Sequence, residues 1–203
     1  CVHFEDISDR DPEYQAVSNR PDAAILSYPV ITSGEYAHRD SMVALLGSEP
    51  TEKELEYMSL EKHVTADTPP CFLWQTVTDA TVPVENSYLF AEACRRNGVC
   101  FAHHVFSEGV HGMSIATEQW LEREFGVPYT LEQIRLLADA VSQGRTSYPE
   151  EKGAEILADF GLDGRKKEKW MPDEKNAIRN TLKEVGIWPR LAEDWLSKIW
   201  QKN

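Results

Sequence analysis

From Ala23 to Val30 the chain runs apolar, AAILSYPV, between the turn residues Pro21-Asp22 and the polar loop TSGEYAHRDS. Two further runs share this pattern, CFLWQTV at 71–77 and VCFAHHVF at 99–106. Short apolar runs bounded by turn signals predict strands covered on both faces, as in a parallel sheet. Between the second and third runs, VENSYLFAEACRRNG places Tyr88, Phe90, Ala91 and Cys94 at roughly helical spacing and stops at Gly98. Another helix is predicted from about Ser114 to Glu124. MVALLG, ending on Gly47, predicts a short helix, and so does TEKELEYMS, whose Thr51 and Glu54 have the spacing of a capping box. The first twenty residues are polar and unpatterned. Strand–helix–strand–helix is the grammar of an α/β fold with a parallel sheet, here of about three strands.

Past Phe125 the pattern changes. TLEQIRLLADAVSQG, EEKGAEILADFG, PDEKNAIRNTLKEVG and WPRLAEDWLSKIW are four amphipathic helix patterns separated by Gly and Pro breaks. Trp188, Trp195 and Trp200 recur at near-helical spacing and are predicted to pack the last helix onto the sheet.

A length of 203 residues with 41% apolar content allows one sizeable core, with or without an appendage. The formal charge of −13 removes the basic face that nucleic-acid binding needs. The one basic cluster, Arg165-Lys166-Lys167, stands beside a glycine among acids and reads as a solvated loop. No apolar run is long enough to cross a bilayer, so no membrane partner is expected. Cys1, Cys71, Cys94 and Cys100 form no C-x-x-C pair. With no signal-like segment, a reduced, cytoplasmic setting is expected. The first residue is Cys rather than Met, which hints at further sequence upstream. No metal or cofactor is expected. His103 and His104 are neighbours on a strand and so face opposite ways, and His38 and His63 lie on unrelated segments.

In parallel α/β sheets ligands gather at the carboxyl ends of the strands. The loop leaving the second strand carries Asp79, and the loop leaving the third carries His111 in SEGVHGMS. An Asp and a His on adjacent strand ends can form the orienting half of a catalytic triad.

The order Asp then His is that of the α/β-hydrolases, which run Ser…Asp…His. TVTDATVPVENS resembles the acid loop of their esterase branch, with Val-Pro three residues after the Asp, and FSEGVHGMS resembles that branch's histidine loop. RPDAAILSYPVITSGEYAHRDS and IWPRLAEDWLSKIW are similar to the preceding strand and the closing helix of acetyl-esterase and dienelactone-hydrolase-like members. The resemblance covers about Arg20 to Thr117 and the last fifteen residues. It implies the carboxyl-terminal half of a hydrolase core at 1–125, a helical insertion at 126–186, and the core's closing helix at 187–203. It further implies Asp79 as orienting acid and His111 as general base. Val82, Val110 and Met113 flank them and either line an acyl pocket or pack the loops.

The family nucleophile is a Ser in G-x-S-x-G. None of the thirteen serines lies between two such glycines, and there is no His-Gly-Gly oxyanion loop. The expectation is therefore a serine carboxylesterase acting on small acetyl esters, plausibly on a sugar or xylan, with its nucleophile half outside this chain. Its partners would be a small ester substrate and either a second copy or a chain carrying the missing half. Two rivals remain open: an inert truncated hydrolase serving as a binding or assembly module, and a fragment of a prolyl-oligopeptidase-like peptidase.

Overall fold

The computed structural model describes residues 1–4, 11–124, 128–146, 148–164 and 170–201. The Arg165-Lys166-Lys167 cluster lies outside the described residues. The order of elements is α1 (Pro12–Gln15), β1 (Ala24–Ser27), α2 (Arg39–Leu46), α3 (Glu52–Tyr57), a 3-10 turn (Leu60–Lys62), β2 (Cys71–Thr76), α4 (Glu85–Arg96), β3 (Phe101–Phe106), α5 (Glu118–Leu121), α6 (Pro128–Ser142), α7 (Lys152–Asp159), α8 (Pro172–Val185) and α9 (Trp188–Trp200). Two compact units result, Cys1–Ile115 with Lys183–Asn203, and Ala116–Leu182.

The first unit holds a parallel sheet in the order β1-β2-β3, which is the expected α/β class. All six residues of β2 are buried, as a central parallel strand requires. Its side chains alternate between two faces. Cys71 and Leu73 join Phe90, Cys94, Ile31 and Val64 in a core cluster beneath α4. Phe72 and Trp74 point the other way. Phe72 meets Trp195 at 5.8 Å, and Trp74 stacks on Trp188 at 5.1 Å. The adjacent histidines split in the same manner. His103 reaches Ser87 Oγ on α4 at 3.0 Å, whereas His104 lies 5.0 Å from the Phe72 ring.

Three expectations change. Coverage on both faces is expected of β1, yet Ile25 is 42% exposed, and among the described residues β1 pairs with β2 alone. The helix expected from Ser114 to Glu124 shrinks to α5. Ser114 and Ala116 take positive φ of 53° and 49°, which an α-helix excludes, and Thr117 then caps the short helix through Trp120 N–H. Trp200 is 61% exposed and does not pack on the sheet. Five residues separate it from Trp195, which carries it off the buried face of a 3.6-residue helix. The capping box of Thr51 and Glu54 forms as read.

In the second unit α6 and α7 cross closely at Gly153. A Cβ there would collide with the Ser142 side chain and sit 2.6 Å from the Ala138 carbonyl oxygen. Arg179 and Lys175 of α8 each reach Glu122 at 2.7 Å, and Arg179 also reaches Glu118 at 3.2 Å. Such partly exposed pairs each contribute about 0–1 kcal/mol. Among the described residues no helix is long and apolar enough to cross a membrane.

Candidate active site

The register of β2 and β3 positions the site. Thr76 pairs with Phe106, and Val77 N–H donates to the Phe106 carbonyl at 2.9 Å. The loops that follow therefore leave the sheet at one level. They are then clamped together. Gly109 N–H donates to Thr78 Oγ1 at 2.9 Å, and the Gly109 carbonyl accepts from Thr78 Oγ1 at 2.9 Å and from Thr76 Oγ1 at 3.2 Å. Only a glycine fits this close approach. A Cβ on residue 109 would lie 2.6 Å from Thr76 Cγ2 and 2.8 Å from Met113 Sδ.

The clamp brings His111 Nδ1 to 2.8 Å from Asp79 Oδ2. The Asp79 side chain is 1% exposed and the His111 side chain 31%. Asp79 Oδ1 accepts from the backbone N–H groups of Thr81 and Val82, both at 2.9 Å. Oδ2 also accepts from Gln75 Nε2 at 3.2 Å. A buried carboxylate surrounded by donors can only accept, so Nδ1 of His111 carries the proton and Nε2 is left as the basic nitrogen. That is the disposition of an orienting acid and a general base.

Other residues hold the surroundings. The Tyr28 ring meets His111 edge-on at 4.9 Å and Trp74 at 5.0 Å. Tyr28 does so from a backbone φ of +39°, an uncommon conformation for an aromatic residue. Asn86 is fully buried and uses its whole amide. Its Oδ1 accepts from Ile31 and Thr32 N–H, and its Nδ2 donates to the Tyr36 and Pro83 carbonyls. This ties the loop after β1 to the end of the acid loop. Three residues beyond His111, the Ser114 carbonyl accepts from Trp188 Nε1 at 2.8 Å.

Asp79 and His111 are thus brought together as read from the sequence. Val82 and Met113 are buried against the loops, and Val110 is half-buried. Gln75, Asn86, Thr76, Thr78 and Tyr28 were not singled out. A Gln inside an otherwise apolar strand was the legible signal for the first of them. Cys71 and Cys94 are buried free thiols. Hydrogen bonding to Cys94 and burial push the Cys71 thiol up, while the bond from Cys71 holds Cys94 down. Among the described residues no group of three or more His, Cys, Asp or Glu could hold a metal.

Residues 15–128, more than half the chain, match the model of the prolyl oligopeptidase family. The chain belongs to that family. Within the same fold are solved α/β-hydrolases, so the resemblance read from the sequence is borne out at that level. An acetyl ester-xyloside bifunctional hydrolase from Caldicellulosiruptor lactoaceticus is 41% identical, with a TM-score of 0.53, over 59% of this chain and 47% of that one. A carboxylesterase from Lactobacillus plantarum WCFS1 is 23% identical with a TM-score of 0.53 and covers 93% of this chain and 50% of its own, a likeness of fold. An endo-1,4-beta-xylanase B from Butyrivibrio fibrisolvens is 54% identical over 133 residues, 66% of this chain and 21% of that protein. The chain spans about half the length of these solved structures and about a fifth of the curated relative.

Proposed function

We propose that this member of the prolyl oligopeptidase family supplies the acid and base of a serine ester hydrolase acting on small acetyl esters, with a sugar or xylan as the acetylated alcohol. The observation that carries the reading is the 2.8 Å bond from His111 to an Asp79 whose other oxygen is already occupied. In this reading a serine from outside these residues attacks the ester carbonyl. His111 Nε2 takes the serine proton and later returns it to the leaving alcohol, and Asp79 stabilises the imidazolium between the two steps. Oxyanion donors would likewise come from backbone N–H groups beyond this chain. The acetyl ester is suggested by what the 41% identical relative is said to hydrolyse.

The test is turnover of p-nitrophenyl acetate by this chain joined to a hydrolase segment that carries a G-x-S-x-G serine. His111→Ala is expected to remove at least about a thousandfold of kcat. Undiminished turnover in that variant rejects the proposal. A prolyl peptide p-nitroanilide assayed beside the ester separates esterase from peptidase, and preference for the peptide would favour the latter.

A second reading, an inert binding or assembly module, draws on one feature. Among the described residues β1 is paired on one side alone, and beside Ile25 runs a groove floored by Trp188, Ala192, Leu196 and Trp200. An open edge next to apolar surface invites a partner strand. A stable monomer of this chain with no turnover in the joined form would favour it.

A further inference from the structure

Gln75 is the polar residue in the interior of β2, one place before the terminal Thr76. It occupies the same face of β2 as Cys71 and Leu73, and it is wholly buried. Its Nε2 donates twice, to Asp79 Oδ2 at 3.2 Å and to the Val82 carbonyl at 2.8 Å. Its Oε1 is buried with no partner. The amide cannot be turned over, because Oε1 would then face a carboxylate and a carbonyl, two acceptors against a third. The orientation is fixed, and it leaves an unpaired carbonyl in the interior at a cost of about 1–3 kcal/mol. Against that cost stand its two bonds, because an apolar residue of the same size would leave the Val82 carbonyl and Asp79 Oδ2 without these donors.

The two bonds have separate targets. One fastens the strand to the turn that presents Asp79 Oδ1 to Thr81 and Val82. The other lands on the oxygen that accepts the His111 Nδ1–H hydrogen bond. We propose that Gln75 is a positioning residue of the acid–base pair, sharing Asp79 Oδ2 with His111 and so setting how strongly the carboxylate holds the imidazole. This rests on Asp79 and His111 acting as the pair described above. A donor to a carboxylate disperses its charge, and less of that charge then faces the histidine N–H. Tyr28, edge-on to His111 from the end of β1, is the titratable neighbour on the other flank.

Proton and nitrogen NMR of the 203-residue chain tests this without any turnover. In the native protein, one Gln75 Nε2 proton is expected to shift in step with the protonation of His111 as the pH is lowered. A Gln75 proton indifferent to that step overturns the proposal, whatever the variants do. In Gln75→Met, which keeps the volume and removes both donors, the His111 Nδ1–H resonance is expected to move further downfield, because Oδ2 then accepts from His111 without competition. Gln75→Asn, too short to reach both acceptors, is expected to move it the same way. A resonance that stays in place or moves upfield in a folded variant makes Gln75 a purely structural support and rejects the sharing. Because the readout is the His111 proton rather than ester turnover, failure of the esterase reading leaves this result standing, and the reverse also holds.

Discussion

The two loops that meet at the site are built to different standards. The acid loop is over-determined. Asp79 is shut away from solvent and receives donors from Thr81, Val82, Gln75 and His111. The histidine loop holds its imidazole by one hydrogen bond and one edge-on aromatic contact, and leaves it partly in the open. In the proposed mechanism the contrast is a division of labour. A group that only orients can be buried and fixed, because it never meets the substrate. A group that carries a proton between two partners must reach outward and tolerate two charge states.

Breaking the acid side is expected to have the largest effect. Asp79→Asn keeps an oxygen for the Thr81 and Val82 N–H groups but turns an amide NH2 toward Nδ1, which forces the other tautomer and leaves no base at Nε2. In the joined enzyme kcat should fall by about 10⁴, while the melting temperature of this chain moves far less than that loss would suggest. Equal activity in Asp79→Asn and the native enzyme would remove Asp79 from the mechanism.

The loop seam comes next. Gly109→Ala places a methyl against Thr76 and Met113 and is expected to destabilise by about 1–3 kcal/mol. Gly112→Ala has open space around it, so the cost of about 1–2 kcal/mol comes from its φ of +75° alone. Thermal melting of both variants with the His111 Nδ1–H resonance as a second readout separates the two. Only the first should displace the imidazole. Thr78→Val, which removes the reciprocal bonds to Gly109, is expected to cost about 1 kcal/mol by denaturant titration and to broaden the same resonance.

The smallest expected effect concerns the sheet beneath the seam. Burial, with a smaller contribution from the nearby His104, holds His103 below its ordinary value of 6.5. The unfolded chain therefore binds a proton at this position before the folded one does. Stability should decline as pH falls from about 6.5 toward the lower folded value. His103→Gln should flatten that part of the curve of melting temperature against pH. An unaltered slope would mean that other groups govern acid unfolding.

How much of this was legible follows from the range of the contacts involved. β2, α4 and β3 announce themselves because their signals are local: apolar runs, a helical period, a Gly stop. The meeting of Asp79 and His111 was legible for the same reason, since the strands that present them are consecutive. The helix expected after Ser114 failed on a distant contact. Trp188 captures the Ser114 carbonyl across 74 residues, and between Ser114 and Glu124 the backbone departs three times into the left-handed region. No window of neighbouring residues contains that event. Asn86 looked like an ordinary first-turn helix residue, and its importance lies in four partners spread from Ile31 to Pro83. The exposure of Ile25 depends on which strands pair beside β1, which periodicity does not record.

The crossover from β2 through α4 to β3 has a consequence for how the site arises. Thr76, Thr78, Asp79, Gly109, His111 and Met113 all fall within one stretch of about forty residues. Contacts of such short sequence separation cost little chain entropy to close and form early relative to distant pairings. The acid–base pair is thus a property of one supersecondary unit, able to assemble as that unit docks and to open with it. Protection of its amides against hydrogen exchange should rise and fall together across both loops, as one cooperative block.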